Sequence, residues 1–231
     1  MKYKVLACLA LLLPPLAFAA RPFVTDDARL TTGGSCQFES WMRLYPDSKE
    51  LWALPACNPT GNLEFTLGGG RAKSQGEQAT SDYVLQAKTL FRPLSTNDWG
   101  WGFAVGTIKH PEISPGPNML GNTYAYLPLS VSLHDDRIIV HANLGGLKDK
   151  ASGRSSMSWG FGGEFALRSG LLGIAETYGD NRGMSYGQIG VRYSVIPDLF
   201  QVDTTWGQQL SGAGNSHWLS FGIRYTPEKL F

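Results

Sequence analysis

Charged side chains are scarce in this 231-residue chain. Asp, Glu, Lys and Arg make up 17% of it, where a soluble domain spends about a quarter. The formal net charge is +1 and basic clusters are few, which argues against the concentrated Lys/Arg footprint of a nucleic-acid-binding surface. No apolar run approaches the roughly 20 residues of a membrane-spanning helix, so a helical membrane protein is excluded. Apolar residues at helical spacing and capped helix starts are missing as well. The four histidines are scattered, and CxxC, HExxH, P-loop, GxSxG and GxGxxG patterns are absent from any fitting context. Gly68 to Gly70 is a glycine run within a strand pattern and not a phosphate loop, because no helix follows it. The expectation is therefore no cofactor, no metal and no catalytic residue.

Glycine and aromatics, by contrast, are plentiful: 28 Gly, 7 Trp, 9 Tyr and 11 Phe. The first nineteen residues read as a secretory signal peptide. Lys2 and Lys4 form a positive start, Val5 to Leu13 an apolar stretch, Pro14 and Pro15 a break, and Ala17-Phe18-Ala19 a cleavage site. Val5 to Cys8 mimics a lipoprotein box but precedes most of the apolar stretch. Cleavage removes Lys2, Lys4 and Cys8, leaving 18 bases against 19 acids and two cysteines, Cys36 and Cys57. An exported pair of cysteines favours a disulfide. Both lie about equally far from a turn near Pro46-Asp47, which puts them across from each other in a hairpin. Two small buried thiols are the alternative.

The mature chain alternates apolar and polar residues almost throughout, the period of β-strands. Ala125, Leu127, Leu129, Val131 and Leu133 share one face, while Tyr124, Tyr126, Ser130 and Ser132 share the other. Met157, Trp159, Phe161, Phe165 and Leu167 repeat the theme, as do Leu219, Phe221, Ile223 and Tyr225. The patterning predicts about twelve strands, near 35–45, 50–57, 62–71, 81–92, 98–109, 122–133, 137–147, 155–168, 170–178, 184–195, 198–208 and 216–226. Connections after even-numbered strands are short, and those after odd-numbered strands are mostly longer and polar. This is the asymmetry of an outer-membrane barrel with both termini in the periplasm. The fold class is thus all-β: an antiparallel up-and-down transmembrane β-barrel over 35–231, behind a signal peptide at 1–19. Residues 20–34 form either a periplasmic leader or a plug in the lumen, where Asp26, Asp27 and Arg29 would pair with lumenal charges.

A charge on the lipid face costs about 2–4 kcal/mol at the bilayer midplane, and the apolar faces carry none. The opposite faces carry Glu39, Arg43, Glu64, Lys88, Glu164, Glu176, Arg192, Asp203 and Arg224, joined by His141 and Asn143. Trp99, Trp101, Tyr178 and Tyr225, at strand ends, suit interfacial girdles. A soluble sandwich would instead show its charges outside and need fewer glycines. The nearly balanced lumenal charges admit two readings: a network of paired ions, favoured by that balance, or a selectivity ring. Gly100, Gly102, Gly106, Gly160 and Gly162 on the same face either widen a path or relieve crowding where strands curve.

Several stretches resemble the outer-membrane family labelled "meta-pathway of phenol degradation". They are Arg21 to Ala28, Ala142 to Gly145, Glu176 within Ile174 to Gly179, Ile189 to Tyr193, Phe200 to Asp203 and Phe221 to Tyr225. The resemblance spans nearly the whole mature chain and rests on the order and spacing of short motifs. It implies a β-barrel transporter linked to aromatic-compound catabolism, with no catalytic residues to carry over. The terminal Phe231 resembles the signal read by the barrel-assembly machinery, although Pro227 and Lys229 interrupt the parity leading to it.

The expected function is passive passage of small, aromatic or hydrophobic organic solutes through an outer-membrane barrel. Its expected partners are outer-membrane lipid, the barrel-assembly machinery and a small-molecule solute, with no nucleic acid. A structural or surface-recognition barrel using the Pro111 to Asn118 loop is the alternative. A lipid-modifying enzyme ranks third. It would draw on Ser130 and His141, which reflect onto each other across the 134–137 turn with Asn143 nearby, since His217 and Ser220 fall on opposite faces.

Overall fold

Strict alternation gives a strand two chemically distinct faces, and twelve such strands satisfy every edge only by closing on themselves. A computed structural model describes residues 23–111, 121–212 and 215–231. The expected signal peptide, Arg21 and most of the stretch from Pro111 to Asn118 lie outside the described residues. The strands are β1 (Ser35–Leu44), β2 (Ser48–Asn58), β3 (Leu63–Ser74), β4 (Thr80–Arg92), β5 (Trp99–Lys109), β6 (Asn122–Leu133), β7 (Ile138–Lys148), β8 (Ser155–Arg168), β9 (Leu171–Asp180), β10 (Ser185–Ile196), β11 (Phe200–Ser211) and β12 (His217–Tyr225). Each pairs antiparallel with its neighbours, and β1 pairs with β12 to close the barrel. Among the described residues no helix is long and apolar enough to cross a membrane.

Large apolar side chains cover the outside. Leu67, Phe91, Leu167 and Ile189 are each about 60% exposed, and Trp99, Phe161, Trp206, Phe221 and Tyr225 stand among them. A contiguous apolar exterior on this scale marks contact with lipid. The interior is inverted: Glu64, Lys88, His141, Glu164, Glu176, Arg192, Asp203 and Arg224 are all buried.

Several strands extend further than patterning suggests. β3 runs to Ser74 and β11 to Ser211, while β2 begins at Ser48. The connections at 75–79 and after Ser211 are therefore shorter than patterning suggests. Polar residues such as Ser48, Lys49, Lys73 and Ser74 end the apolar pattern without ending the ladder, in which Ser48 pairs with Ser74 and Lys49 with Lys73. The opposite end has tight turns. His134, Asp135 and Asp136 are all left-handed (φ 54, 57 and 61). Their turn is tied to its neighbour by Asn97, whose Nδ2 donates to Asp135 (2.6 Å) and whose Oδ1 accepts the Asp135 N–H (2.7 Å).

Cys36 and Cys57 are opposite each other on β1 and β2 and are disulfide-bonded. Strand parity places this bridge on the outer face with Phe38 and Pro55, at the turn end. β12 stops at Tyr225, so Phe231 lies outside the ladder and strand parity does not place it. Its N–H instead donates to the Gly34 carbonyl (3.1 Å). Tyr178 is no girdle residue. Sharing parity with buried Glu176, it faces the lumen and stacks on Tyr186, ring centroids 5.4 Å apart.

Candidate functional site

Residues 23–34 form no strand and run through the lumen, where the inward side chains capture their backbone. The Glu176 carboxylate accepts the N–H groups of Val24 (2.8 Å) and Thr25 (2.9 Å), and Gln188 Nε2 closes on the same carboxylate. The Asn143 amide, oriented to satisfy both groups, accepts the Asp26 N–H and donates to the Asp26 carbonyl, both at 2.7 Å. Ser130 Oγ accepts the Ala28 N–H (2.9 Å) and Glu64 accepts that of Thr31 (2.7 Å). Asn58 Nδ2 donates to the Thr31 carbonyl (2.7 Å) near the turn-side mouth. A backbone without regular structure is tolerated at membrane depth only where protein groups satisfy it in this way.

Charges reinforce the fit. Lys88 Nζ lies 2.8 Å from Asp26 Oδ1 and 3.6 Å from Asp27 Oδ1, and Tyr126 donates to Asp26 Oδ2 (2.7 Å). Glu64 stands directly opposite Lys88 on β3 and β4. Arg192 donates to Glu164 (2.9 Å), and Arg29 reaches the other Glu164 oxygen at 3.9 Å. On the β10–β11–β12–β1 wall, Arg192 is opposite Asp203, and Arg224 is opposite both Gln201 and Glu39. Arg43 sits higher, opposite Glu50, with its guanidinium 5.2 Å from the Trp218 ring centre. The lumenal charges thus interleave by sign around the wall instead of forming a ring of one sign.

Two lumenal glycines make room for the segment. A Cβ on Gly160 would lie 2.4 Å from Thr25 Oγ1, and one on Gly162 would lie 2.8 Å from the Phe23 ring. Their missing side chains are filled by protein.

Ser130, His141 and Asn143 separate chemically. Ser130 Oγ and His141 Nδ1 are 2.8 Å apart, and Glu164, which pattern reading left out of this set, lies 3.7 Å from His141 Nε2. Asn143 serves the Asp26 backbone instead. Ser130 and His141 are fully buried beneath Ala28 and the Phe23 ring, whose centre is 5.4 Å from the imidazole. Among the described residues no group of side chains has the makings of a metal site. Asn58 and Tyr126 were missed as partners of the segment, and Gln188 as a partner of the Glu176 carboxylate that holds it. All three obey lumenal parity, but parity gives no clue to what fills the lumen.

Beside the segment a cavity of about 540 Å³ remains. Its walls carry Trp41 and Trp52, stacked at 5.7 Å, and Tyr124 and Tyr126, stacked at 6.1 Å, with Arg43 and Glu50 nearer the loops. Apolar outside, charged inside and closed by twelve strands, the chain has the architecture of an outer-membrane porin-like barrel. It belongs to the family described as "Uncharacterised conserved protein UCP029691", matched over residues 7–226. Similar solved structures include the KdgM porin in complex with disordered oligogalacturonate, at TM-score 0.63 and 9% identity over 83% of this chain and 99% of that one. The NanC porin aligns at TM-score 0.59 and 10% identity, over 83% and 100%. The COG4313 outer membrane channel from Pseudomonas putida F1 aligns at TM-score 0.59 and 12% identity, over 90% and 98%. At these identities the likeness is one of fold. No curated protein matches the chain in sequence.

Proposed function

We propose that this chain is an outer-membrane channel that passes small organic solutes by diffusion and is restricted by its own N-terminal segment acting as a plug. The supporting observation is the aromatic-walled cavity beside residues 23–34. A barrel of about eight strands is filled by its side chains, and one of 16–18 leaves an open aqueous channel. Twelve strands leave a lumen wide enough to hold both a chain segment and a cavity. Stacked Trp and Tyr pairs offer flat apolar faces to an aromatic or hydrophobic solute, consistent with the resemblance to the phenol meta-pathway family. Ser130, His141 and Glu164 are read as part of the polar network holding the plug, because Ala28 and Phe23 cover them.

A second reading, a structural or surface-recognition barrel without flux, is favoured by the number of hydrogen bonds fixing the segment. Conductance and liposome swelling, with and without residues 20–34, separate the two. The channel reading expects low conductance from the intact mature chain and a marked increase on deletion. Silence from both would leave the structural barrel.

A further inference from the structure

The outer surface carries its own pattern, independent of the lumen. Lys49 on β2 stands directly opposite Lys73 on β3, and Arg71 stands opposite Leu51 on the same face. Parity fixes that face as outward: Leu51 and Leu67 are 58% and 66% exposed, while Glu50 and Thr66 line the cavity. Like charges directly opposed across a strand pair, with Cβ atoms about 5 Å apart, destabilise a sheet. Among the described residues none of the three bases has an ion-pair partner. Nearby acids point elsewhere. Glu50 accepts from Trp52 Nε1 and Asp82 meets His110 Nδ1 (2.6 Å), while Asp47 and Glu77 lie in the turns beyond the strand ends.

Lys109, opposite Tyr83, and Lys148, opposite Thr123, continue the outward bases around the same edge. The turn edge is different. Its outward positions are Phe38, Phe65, Phe91, Trp99, Trp101, Phe165 and Tyr225, and its Arg92 is neutralised by Asp98 at 2.7 Å. The loop edge carries the clustered bases, while the turn edge carries the paired Arg92 and an exposed Arg168 among its aromatics.

We propose that Lys49, Arg71 and Lys73 form a docking site for the phosphate groups of a phosphorylated glycolipid in the leaflet facing the loops. A phosphate between the two ammonium groups turns their repulsion into two charge-assisted hydrogen bonds, and the planar Arg71 guanidinium offers a bidentate fork. The inference rests on the outer-membrane reading, but it is independent of whether the lumen conducts.

The test uses the full mature barrel in detergent with bisphosphorylated lipid A, the same lipid stripped of phosphate, or inorganic phosphate. Folded fraction against temperature on semi-native gels and lipid retention by native mass spectrometry are the readouts. Lipid A is expected to remain bound and raise the unfolding temperature, while the other two do not. Joint Lys49→Gln, Arg71→Gln and Lys73→Gln substitution should weaken retention at least about tenfold with solute flux unchanged. Lys49→Gln alone should stabilise the lipid-free barrel, by relieving the opposed pair, and reduce the gain from lipid A. Equal retention of the stripped lipid, an equal gain from inorganic phosphate, or an undiminished gain in the triple variant would overturn the proposal. Loss of flux with lipid binding intact would count only against the channel.

Discussion

Lys88 Nζ meets Asp26 Oδ1 at 2.8 Å, joining the wall of the barrel to the segment inside it. The ammonium is almost fully buried and also faces Asp27 and Glu64. Removing one partner of a buried ion pair leaves the other charge unsolvated, at a cost of about 3 kcal/mol. Lys88→Gln should therefore lower resistance to urea by about that amount, and adding Asp26→Asn and Asp27→Asn should restore part of it. A stability equal to wild type would mean that this contact contributes nothing net.

Glu176 holds the segment by its backbone, accepting the Val24 and Thr25 N–H groups, with no cation paired to it among the described residues. Glu176→Ala removes both acceptors and leaves the β9 and β10 ladders intact. Cys36 and Cys57 form a disulfide, so with Cys8 replaced by Ser a Thr25→Cys reporter, at a site 2% exposed, has no competing thiol. The reporter should resist a water-soluble thiol reagent in the parent barrel and react at least about tenfold faster with Glu176→Ala, in line with loss of a local opening energy above about 1.4 kcal/mol. Equal rates would place the anchor elsewhere.

Gly160 and Gly162 separate two views of lumenal glycine. If their bare backbones served an open path, adding methyl groups would narrow it. The structure fills both places with Thr25 and Phe23, so Gly160→Ala with Gly162→Ala should push the segment out. Conductance should then rise severalfold while the unfolding temperature changes little, because the sheet hydrogen bonds persist. A fall in conductance would favour the open path.

Period-two alternation made the sheet and the inward set legible. From Glu39 through Arg224 the charges could be placed on one face because a strand allows a side chain only two directions. Tyr178 was misplaced by its position near a strand end, although Glu176 two residues earlier fixes its direction. The 72–80 and 209–215 connections were overdrawn because polar side chains do not stop a ladder that extends past lipid into water. The contacts of residues 23–34 were beyond pattern reading. The segment has no period, and Val24 meets its carboxylate 152 residues away. The segment's charges suggested partners in kind, but their identities depend on the closed barrel.

The disulfide lies where closure begins. Cys36 and Cys57 tie β1 to β2 at the turn end with a separation of 21 residues, and β1 is also the strand that meets β12. A cross-link over a loop of this length stabilises by about 3 kcal/mol through the unfolded chain. Opening it should lower equilibrium stability by up to that amount while leaving the folded barrel and its conductance unchanged, since strand parity puts the bridge on the outer face. The comparison is Cys36→Ser with Cys57→Ser against the oxidised parent, by urea titration and single-channel recording on the same samples. An altered conductance at unchanged stability would show that the bridge shapes the lumen and not the unfolded state.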